Sequence, residues 1–405
     1  MRAPHKKGLA HFLEIIGNVL LYHCLAISWS AAWNGQYPAF KNLYFSHIFS
    51  PTPRMMESMG EIALDVMGGD FAPDATVRAA ARFSLKSFTH TLHLFGDESR
   101  IHQILKQIPH DAEKLSIHHT DSWVPMDANP KDVARQYAAS SLFLAAQHVA
   151  DKKAQAIVSA GNTGAVVMAC STHFKRLPGI KRCALGAVYP THKRHGTTND
   201  PFSLILDAGL TLQADMHTLV GFAVMGAAYA KCISKNPVPK VALLSNGTEP
   251  SKGPPSVVEA HCALKESLES ERGFEFIGNI EGLDIPKGTA DVVITDGFTG
   301  NIVLKMLEGV VETVRHLATN AKKQNIAYLA GLTLLYPAVK ELKALTDWQQ
   351  YGGAPLLGYD ALCIKAHGRS KERAIYNALK VAHRTIEEQL TESIVSLLGA
   401  AVRES

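Results

Sequence analysis

Three short turns in this sequence combine glycine with acidic, hydroxyl and amide side chains. They are DVMGGDFAPD at 65–74, SAGNTGA at 159–165 and TDGFTGN at 295–301. Glycine permits positive φ angles and close backbone approach, so successive N–H groups can point at one anion. A helix that follows directly adds unpaired N–H groups and the positive end of its dipole. Helix capping explains one such turn equally well, but three turns in one sheet favour anion binding.

We expect the groups that bind this anion to come from the same three turns. They are Gly68, Gly69, Asp70, Ser159, Asn162, Thr163, Gly164, Gly297, Thr299 and Gly300. Neutral hydroxyl and amide groups suit phosphate better than a metal ion. We therefore expect a phosphate site and no metal.

A second block of interest is CIKAHGRS at 363–370, which follows YGGAPLLG at 351–358. Lys365 and His367 alternate at the end of a predicted strand, so their side chains share one face. Histidine titrates near neutral pH and can act as a general acid or base. Lysine can neutralise an oxyanion or a phosphate. We expect His367 to be catalytic and Lys365 to contact the substrate.

Four basic residues surround a Pro-Gly turn in HFKRLPGIKR at 173–182. They are Lys175, Arg176, Lys181 and Arg182. A solvated surface loop is the ordinary interpretation. Alternatively, the loop docks an acidic protein partner by electrostatic attraction.

Composition and missing motifs exclude several classes of protein. The formal charge of +4 is too small for a nucleic-acid-binding surface. No GxxxxGK[ST] phosphate loop, no GxGxxG after the first predicted strand and no GxSxG turn occur. The 6 cysteines form no CxxC pair, and we expect reduced, mostly buried thiols and no cofactor. HKRH at 192–195 and His118-His119 are interpreted as solvated loops rather than metal ligands.

The elements that position these residues repeat from residue 60 onward. Short apolar runs such as EIALD and KVALL alternate with segments of helical spacing. Such strands are typical of a mostly parallel sheet covered on both faces, which predicts a three-layer α/β/α fold. Because the loops after parallel strands share one edge, we expect several polar residues to converge on one cleft. These are Asp65, Ser159, Asp207, Asn246 and Asp296.

We expect one main domain at 59–400 with an inserted apolar helical segment at 325–347. Pro337 divides that segment into two short helices, which either pack in the core or a dimer interface or face a membrane. Residues 1–58 are expected to be an extension or a mis-assigned start, because the first convincing strand follows them. Their uncharged stretch 15–33 would otherwise be a signal sequence or a membrane anchor.

Seven stretches together resemble the bacterial phosphate acyltransferase family, also called acyl-ACP:phosphate acyltransferase. In chain order they are ALDVMGGDFAPD, SAGNTGA, LLSNGTE, FIGNIEG, DVVITDGFTGNIVLKMLEG, YGGAPLLG and IKAHG. The resemblance runs from about Glu61 to the C-terminal helix and does not cover 1–58. The family's LDxGANVD motif is LDAGLTLQAD here, with Thr211 replacing Asn and Gln213 replacing Asp.

The resemblance implies a homodimer with a fold like that of phosphate acetyltransferase, needing no metal or nucleotide. It implies transfer of a long-chain acyl group from the phosphopantetheine thiol of acyl carrier protein to inorganic phosphate. The acyl phosphate would pass to a membrane acyltransferase that starts phospholipid synthesis. We therefore expect a cytoplasmic protein with peripheral membrane association.

Phosphate is itself a nucleophile, so this reaction needs no nucleophilic side chain. We expect the turns at 68–70, 159–164 and 296–301 to position phosphate and stabilise the oxyanion. Lys305, one helical turn beyond Asn301, would supply positive charge. His367 would act as an acid or base, and Asp296 would orient a partner or cap an N–H group.

Three other functions fit parts of this sequence. The nearest is a phosphate acetyltransferase that acts on a CoA thioester. A nucleotide-dependent dehydrogenase is disfavoured by the missing fingerprint. A non-catalytic adaptor for a carrier protein or a membrane would use the basic loop and the apolar segment, but it would leave three polar glycine turns without a role.

Overall fold

The computed structural model describes residues 60–86, 90–266, 273–324 and 352–402. The expected extension at 1–58 and the expected helical segment at 325–347 lie outside the described residues. Ser58–Ser405 forms one compact unit.

Within the described ranges, 11 strands form one sheet with the spatial order β3-β2-β1-β4-β11-β10-β5-β6-β9-β7-β8. In chain order they are β1 (Glu61–Asp65), β2 (Thr91–Gly96), β3 (Leu115–His119), β4 (Ala156–Ser159), β5 (Ala184–His195), β6 (Asp200–Leu206), β7 (Lys240–Leu244), β8 (Glu275–Ile280), β9 (Val292–Ile294), β10 (Ala354–Leu357) and β11 (Leu362–Lys365).

Helices connect most of these strands, and three of them begin at a capping side chain in the preceding turn. They are α1 (Asp74–Ser84), α2 (Glu98–Leu105), α3 (Val133–Gln136), α4 (Ser141–Ala150), α5 (Thr163–His173), α6 (Met216–Ser234), α7 (Pro255–Glu266), α8 (Gly297–Gln324), α9 (Glu372–Glu387) and α10 (Leu390–Val402). Asp97, Asn162 and Asp215 cap α2, α5 and α6, each with a side-chain oxygen that accepts from a first-turn amide.

The sheet is covered on both faces, as its wholly apolar strands require. In β1, Ile62 and Leu64 belong to the core that also contains residues of α1, α6 and α9. Ala63, between them, belongs to the core formed with α4 and α5. This alternation follows the pleat of the strand. The α/β class with a mostly parallel sheet, expected from the sequence, is confirmed.

The two halves of the sheet run in opposite directions. β1, β4 and β11 are parallel to one another, and β10 is antiparallel to both β11 and β5. Because β5 is antiparallel to β6, the strands β6, β9, β7 and β8 run opposite to β1 and β4. The carboxyl ends of the two halves therefore point in opposite directions, but pairing through β10 and β5 places Leu206 at about the level of Ile364, near the end of β11.

This reversal means that the polar turns do not all follow strands of one direction, as the sequence pattern suggested. Asp65 and Ser159 lie where β1 and β4 end. Asp207, Asn246 and Asp296 follow β6, β7 and β9, which run the opposite way. Convergence of all five residues on one cleft stays a prediction. Alternating strands and helices are visible in the sequence, but the antiparallel pairs at the centre of the sheet are not.

Two histidine segments that were expected to be solvated loops belong to strands. HKRH lies in β5, where His195 is buried and its Nδ1 lies 3.0 Å from Asp291 Oδ1. His118 and His119 end β3, and His118 is half-buried. Polar residues at the ends of strands give little hydrophobic signal, which is why the sequence pattern missed both segments.

Helix α6 has the length and composition of a membrane span, the one such helix among the described residues. However, 67% of its most apolar stretch is buried within the protein. Phe222 and Met225 are completely buried in the core beside the sheet. The apolar character of α6 is therefore explained by core packing.

Candidate active site

A cavity of about 200 Å³ lies at the edge where β4 and β11 end. We call it the lysine cavity. Its polar wall consists of Thr163, Glu308, Lys365, His367 and Ser370. Its apolar wall includes Leu185, Ala187, Val188 and Leu304. A polar end beside an apolar surface suits a ligand that has both characters.

Lys365 is the last residue of β11 and is 6% exposed. Its Nζ donates to the carbonyl oxygen of Ala366. Burial lowers the pKa of the ammonium group to about 8, and the charges of nearby groups, Asp65 and Asp70 among them, oppose this fall. At neutral pH the side chain is therefore mostly protonated. A positive charge held out of water attracts an anion more strongly than an exposed one.

The buried carboxylate of Asp65 links the first two glycine turns by hydrogen bonds. Asp65 Oδ1 accepts from Ser141 Oγ at 2.6 Å, and Oδ2 accepts from Ser159 Oγ at 2.7 Å. Ser159 Oγ in turn accepts from the Gly161 amide at 3.0 Å. A Cβ on Gly68 would lie 2.4 Å from Asp65 Oδ2, so only glycine fits there. Burial raises the pKa of Asp65, whereas the serine hydrogen bonds act against that rise.

The turn at 68–70 also contacts the segment that carries His367. The Asp70 amide donates to the Gly368 carbonyl at 2.9 Å. Gly69 has a φ of +109°, and a Cβ there would lie 3.0 Å from Ala160 Cβ. Three segments that are distant in sequence therefore pack as one unit beside the cavity.

Helix α5 begins at the lysine cavity, with Thr163 in the wall. Asn162 Oδ1 accepts from the Ala165 amide at 3.0 Å. The amides of Thr163 and Gly164 have no hydrogen-bond acceptor among the residues that the structure describes. Gly164 lies so close to Pro130 that a Cβ would be 2.3 Å from its Cγ. Two unpaired amides at the positive end of a helix form an anion-binding surface.

His367 lies at the mouth of the cavity and is partly exposed. The Arg369 amide donates to its Nδ1 at 3.1 Å, which places the proton of the neutral ring on Nε2. Partial burial lowers the pKa of the imidazole, and the positive charges of Lys365 and Lys305 lower it further. In the neutral ring the donor group is therefore Nε2–H, a type of group that can stabilise negative charge.

Helix α8 brings charged residues to the same place. Glu308 is in the cavity wall, and its Oε2 lies 2.7 Å from Lys305 Nζ. Both side chains are at least half exposed, so the pair is worth about 0–1 kcal/mol. Lys305 can therefore leave Glu308 and pair with an incoming anion at a small cost in free energy.

Ser370 supplies a hydroxyl group that sequence reasoning did not select. The residue is 3% exposed, and its Oγ has no hydrogen-bond partner within the described part of the chain. Leaving a buried hydroxyl without a partner costs about 1–3 kcal/mol. A ligand oxygen in the lysine cavity would satisfy it.

The turn at 295–301 follows β9 and begins α8, whose Leu304 and Glu308 line the lysine cavity. Asp296 Oδ1 accepts from the Thr299 amide at 2.7 Å, so Asp296 caps helix α8. Both residues line a different cavity of about 310 Å³, together with Ser245 and Asn246. Asp296 acts here as a helix cap, one of the two roles expected for it.

Asp207 organises the loop that differs from the family motif. Its carboxylate accepts from the amides of Leu185, Gly209, Leu210 and Thr211. The loop shapes the start of α8, because the Gly297 amide donates to the Thr211 carbonyl at 2.7 Å. A Cβ on Gly300 would lie 1.9 Å from the Asp207 carbonyl oxygen. Asn301 lies beside Gly209, and Gln213 is exposed.

The structure thus divides the expected site residues into two groups. The turns at 68–70 and 159–164 lie with Lys365 and His367, and Lys305 is close enough to affect the His367 charge. Asp296, Gly297, Thr299, Gly300 and Asn301 are not in the wall of the lysine cavity. They follow a strand that runs in the opposite direction.

The basic loop is held in place by buried apolar residues that lie between its exposed basic residues. Phe174, Leu177, Ile180 and Cys183 are buried. Lys175, Arg176, Lys181 and Arg182 are all exposed. Lys181 Nζ lies 3.3 Å from Asp215 Oδ2, and Arg176 donates to the Lys181 carbonyl. The loop is a fixed, positively charged surface, and its docking role stays a prediction.

Comparison with known proteins supports the interpretation of the motifs. Residues 61–393 match the family described as "Fatty acid synthesis protein". A phosphate acyltransferase of Dictyoglomus turgidum is 39% identical over 340 residues, covering 84% of this chain and 98% of that protein. One from Myxococcus xanthus is 39% identical over 342 residues, covering 84% and 94%. The family resemblance expected from the motifs is confirmed.

Solved structures show a related fold. A phosphotransacetylase from Streptococcus pyogenes has a TM-score of 0.55 at 16% identity, covering 84% of this chain and 95% of that one. A phosphotransacetylase from Staphylococcus aureus has a TM-score of 0.52 at 16% identity, covering 80% and 94%. The expected likeness to the phosphate acetyltransferase fold is confirmed.

Proposed function

Since this chain belongs to the phosphate acyltransferase family and is an acyltransferase, we propose that it transfers a long-chain acyl group from acyl carrier protein to inorganic phosphate. The products are acyl phosphate and the free carrier thiol. Acyl phosphate then serves glycerophospholipid synthesis.

The observation that carries this proposal is the lysine cavity. It combines the buried ammonium of Lys365 with two amides at the start of α5 and the Ser370 hydroxyl, and neither the amides nor the hydroxyl have a partner within the described part of the chain. The ammonium and the helix N-terminus match the negative charge of phosphate, and the amides and the hydroxyl can donate to its several acceptor oxygens. The nearby apolar wall suits the first carbons of an acyl chain.

The positions of these groups support the following reaction, which we propose. A phosphate oxygen attacks the thioester carbonyl carbon, and the carbonyl oxygen becomes an oxyanion. His367 Nε2–H donates to that oxyanion in our proposal, with Lys305 adding positive charge. The C–S bond then breaks, and the carrier thiolate takes up the proton that phosphate loses. No covalent enzyme intermediate forms, and phosphate needs no general base because it is already an anion.

We further propose that the basic loop at 173–182 docks acyl carrier protein. Its four exposed basic residues lie at the far end of α5 from Thr163. The length of α5 is about 16 Å at 1.5 Å per residue. A thioester carried on an extended prosthetic arm can cross that distance while the carrier stays bound at the loop.

Helix α8 carries an apolar stripe that supports the expected homodimer. Phe298, Ile302, Met306, Val310 and Leu317 are 48–64% exposed. The first four recur at every fourth position, and all five fall on one side of the helix. We propose that this stripe packs against a second copy of the chain.

We also propose a cytoplasmic location with reversible attachment to the membrane surface. An acyl phosphate with a long chain is strongly apolar at one end and belongs at a lipid surface. Release there would bring it to a membrane acyltransferase.

The decisive assay measures free thiol released from palmitoyl-acyl carrier protein by the purified full-length chain, with and without phosphate. We expect release only with phosphate, and trapping of the acyl product by hydroxylamine. Phosphate-independent release would indicate a thioesterase and would refute the site assignment. Binding of the carrier without any release would indicate an adaptor.

A phosphate acetyltransferase is the alternative that shares this chemistry. The same assay with acetyl-CoA as the donor separates the two. We expect a kcat/KM for palmitoyl-acyl carrier protein that is more than 100-fold higher, because the docking loop and the apolar wall would contribute nothing to acetyl-CoA. Equal or reversed values would favour the alternative.

A further inference from the structure

Three histidines outside the lysine cavity surround one point in the first half of the sheet. His93 lies on β2, His118 on β3 and His148 on α4, and one imidazole nitrogen of each lies within 4.8 Å of the other two. We propose that these residues, here called the histidine cluster, bind one transition-metal ion. Three imidazoles suit Zn²⁺ best among abundant ions, since Mg²⁺ and Ca²⁺ prefer oxygen ligands.

Strand register brings two of the three rings together. His93 and Phe95 are two residues apart on β2, so they point to the same face. His118 is the register partner of Phe95 on the parallel strand β3. Both histidines therefore face the layer that contains α4, where His148 lies one helical turn after Leu144.

A carboxylate orients His93 in the way that metal-binding histidines are commonly oriented. His93 Nε2 lies 2.7 Å from Glu61 Oε2, so the Nε2 proton is donated to the carboxylate. The lone pair of Nδ1 is then directed at His118 Nε2, which lies 2.9 Å away. Carboxylate–histidine–metal arrangements of this kind fix the ring and raise the basicity of the ligating nitrogen.

The separation of His93 Nδ1 and His118 Nε2 is close to that of two ligands in a metal site. With Zn–N bonds of about 2.0–2.1 Å in tetrahedral geometry, ligand nitrogens lie about 3.3 Å apart. The 2.9 Å between His93 and His118 would need to widen by only a few tenths of an ångström. Side-chain rotation alone can provide that change.

His148 gives the independent indication of a ligand. Its Nε2 is buried and has no hydrogen-bond partner in the described ranges 60–86, 90–266, 273–324 and 352–402. Phe95 shields this region: its ring stacks on His118 at 4.5 Å with an interplanar angle of 9° and lies 5.2 Å from His148. A metal ion would satisfy the unpaired nitrogen at a site partly protected from water.

Three protein ligands leave a fourth position for water. Lys153 and Asp151, at the end of α4, are the charged residues that act on His148. The site is separate from acyl transfer, because none of its residues is in the wall of the lysine cavity.

The test begins with the full-length chain, treated with EDTA, desalted and titrated with Zn²⁺ by calorimetry. We expect one Zn²⁺ per chain and a rise in Tm with Zn²⁺. His118→Asn and His148→Gln should each weaken binding by at least about 10-fold. His119→Asn is the matched control: His119 ends the same strand, accepts from the Glu98 amide and lies outside the cluster.

Co²⁺ provides a measurement that does not depend on the variants folding. Three imidazoles and a water in tetrahedral geometry give intense visible d–d bands, which Zn²⁺ should abolish by competition. Wild-type protein that shows neither these bands nor stoichiometric Zn²⁺ binding would overturn the proposal. Equal Zn²⁺ affinity in the wild type and both folded cluster variants would do so as well.

Discussion

Ser159 and Lys365 are register partners on neighbouring parallel strands, and both act on the same buried carboxylate. Ser159 Oγ donates to Asp65 Oδ2 at 2.7 Å, while the Lys365 ammonium interacts with Asp65 through charge. The position of the glycine turns and the charge of the lysine cavity therefore depend on one side chain. Changes to Lys365 should affect substrate binding, and changes to Ser159 should affect stability.

Lys365→Met keeps the length of the side chain but removes the charge that phosphate requires. We expect kcat/KM for phosphate to fall by at least about 100-fold, the scale for loss of one preorganised charge. Lys265→Met, an exposed lysine on α7, is the control and should act like the wild type. Initial rates measured against phosphate concentration test this. A Lys365→Met variant with the wild-type kcat/KM for phosphate would contradict it.

The lowered pKa of Lys365 predicts opposite effects of pH on activity and stability. Above a pH of about 8 the folded chain loses this proton, so kcat/KM for phosphate should fall. The unfolded chain keeps the proton until pH 10.5. Between these values the unfolded state binds more protons, so the free energy of unfolding rises with pH, by on the order of 3 kcal/mol.

Urea unfolding of the wild type and Lys365→Met at pH 7.5 and 10 isolates this contribution, because other groups titrate in both proteins. The wild type should gain stability relative to the variant as the pH rises. No difference in pH dependence between them would show that Lys365 has an ordinary pKa.

His367→Ala and His367→Gln distinguish an oxyanion donor from a general base. A donor role predicts a fall in kcat of about 10²–10³ for the alanine variant and a smaller fall for glutamine, whose amide retains an N–H group. Tm should change little in both, because His367 is partly exposed. Equal losses in the two variants would instead support proton transfer, and unchanged turnover would remove His367 from the mechanism.

Ser159→Ala should destabilise the fold by about 1–3 kcal/mol, since it removes one hydrogen bond to the buried Asp65 carboxylate and the acceptor of the Gly161 amide. Ser171→Ala is the control, because its exposed hydroxyl bonds only to the Met168 carbonyl within α5. That variant should stay within about 0.5 kcal/mol of the wild type. Urea denaturation measures both, and equal stabilities would contradict the proposed role of Ser159.

Met306→Lys should convert a homodimer into monomers by placing a charge in the exposed stripe of α8. Leu85→Lys is the matched control, because Leu85 is 54% exposed but lies at the end of α1. Light scattering coupled to size-exclusion chromatography gives the mass of each. A wild-type monomer, or a dimer that persists in Met306→Lys, would rule out this interface.

Local chemistry could be predicted from the sequence, because the residues involved are close along the chain. Examples are the turns at 68–70 and 159–164 and the spacing of Lys365 and His367. These three segments lie beside the lysine cavity. Asn162 caps α5 as its position before a helical pattern predicts. Periodicity also identified the α/β class, since buried strands and amphipathic helices have different repeats.

Long-range pairing could not be predicted in the same way. Nothing in the sequence marks β10 as antiparallel to both of its neighbours, so the reversed direction of β6, β7 and β9 could not be foreseen. Ser370 ends the block CIKAHGRS at 363–370. However, nothing in the sequence around a single serine shows that its hydroxyl is buried without a hydrogen-bond partner among the described residues. The histidine cluster joins residues from two strands and a helix, and their sequence spacing matches no metal motif.

The central position of β10 and β11 has a consequence for synthesis of the chain. These strands are translated after all nine others, yet they lie between β4 and β5. Until residue 365 leaves the ribosome, the nascent chain has two separate groups of strands, and each has an unpaired inner edge. Unpaired edges favour association with other chains. Translation pauses shortly before residue 354 should therefore be the most hazardous for this protein, and chaperone binding should be greatest there.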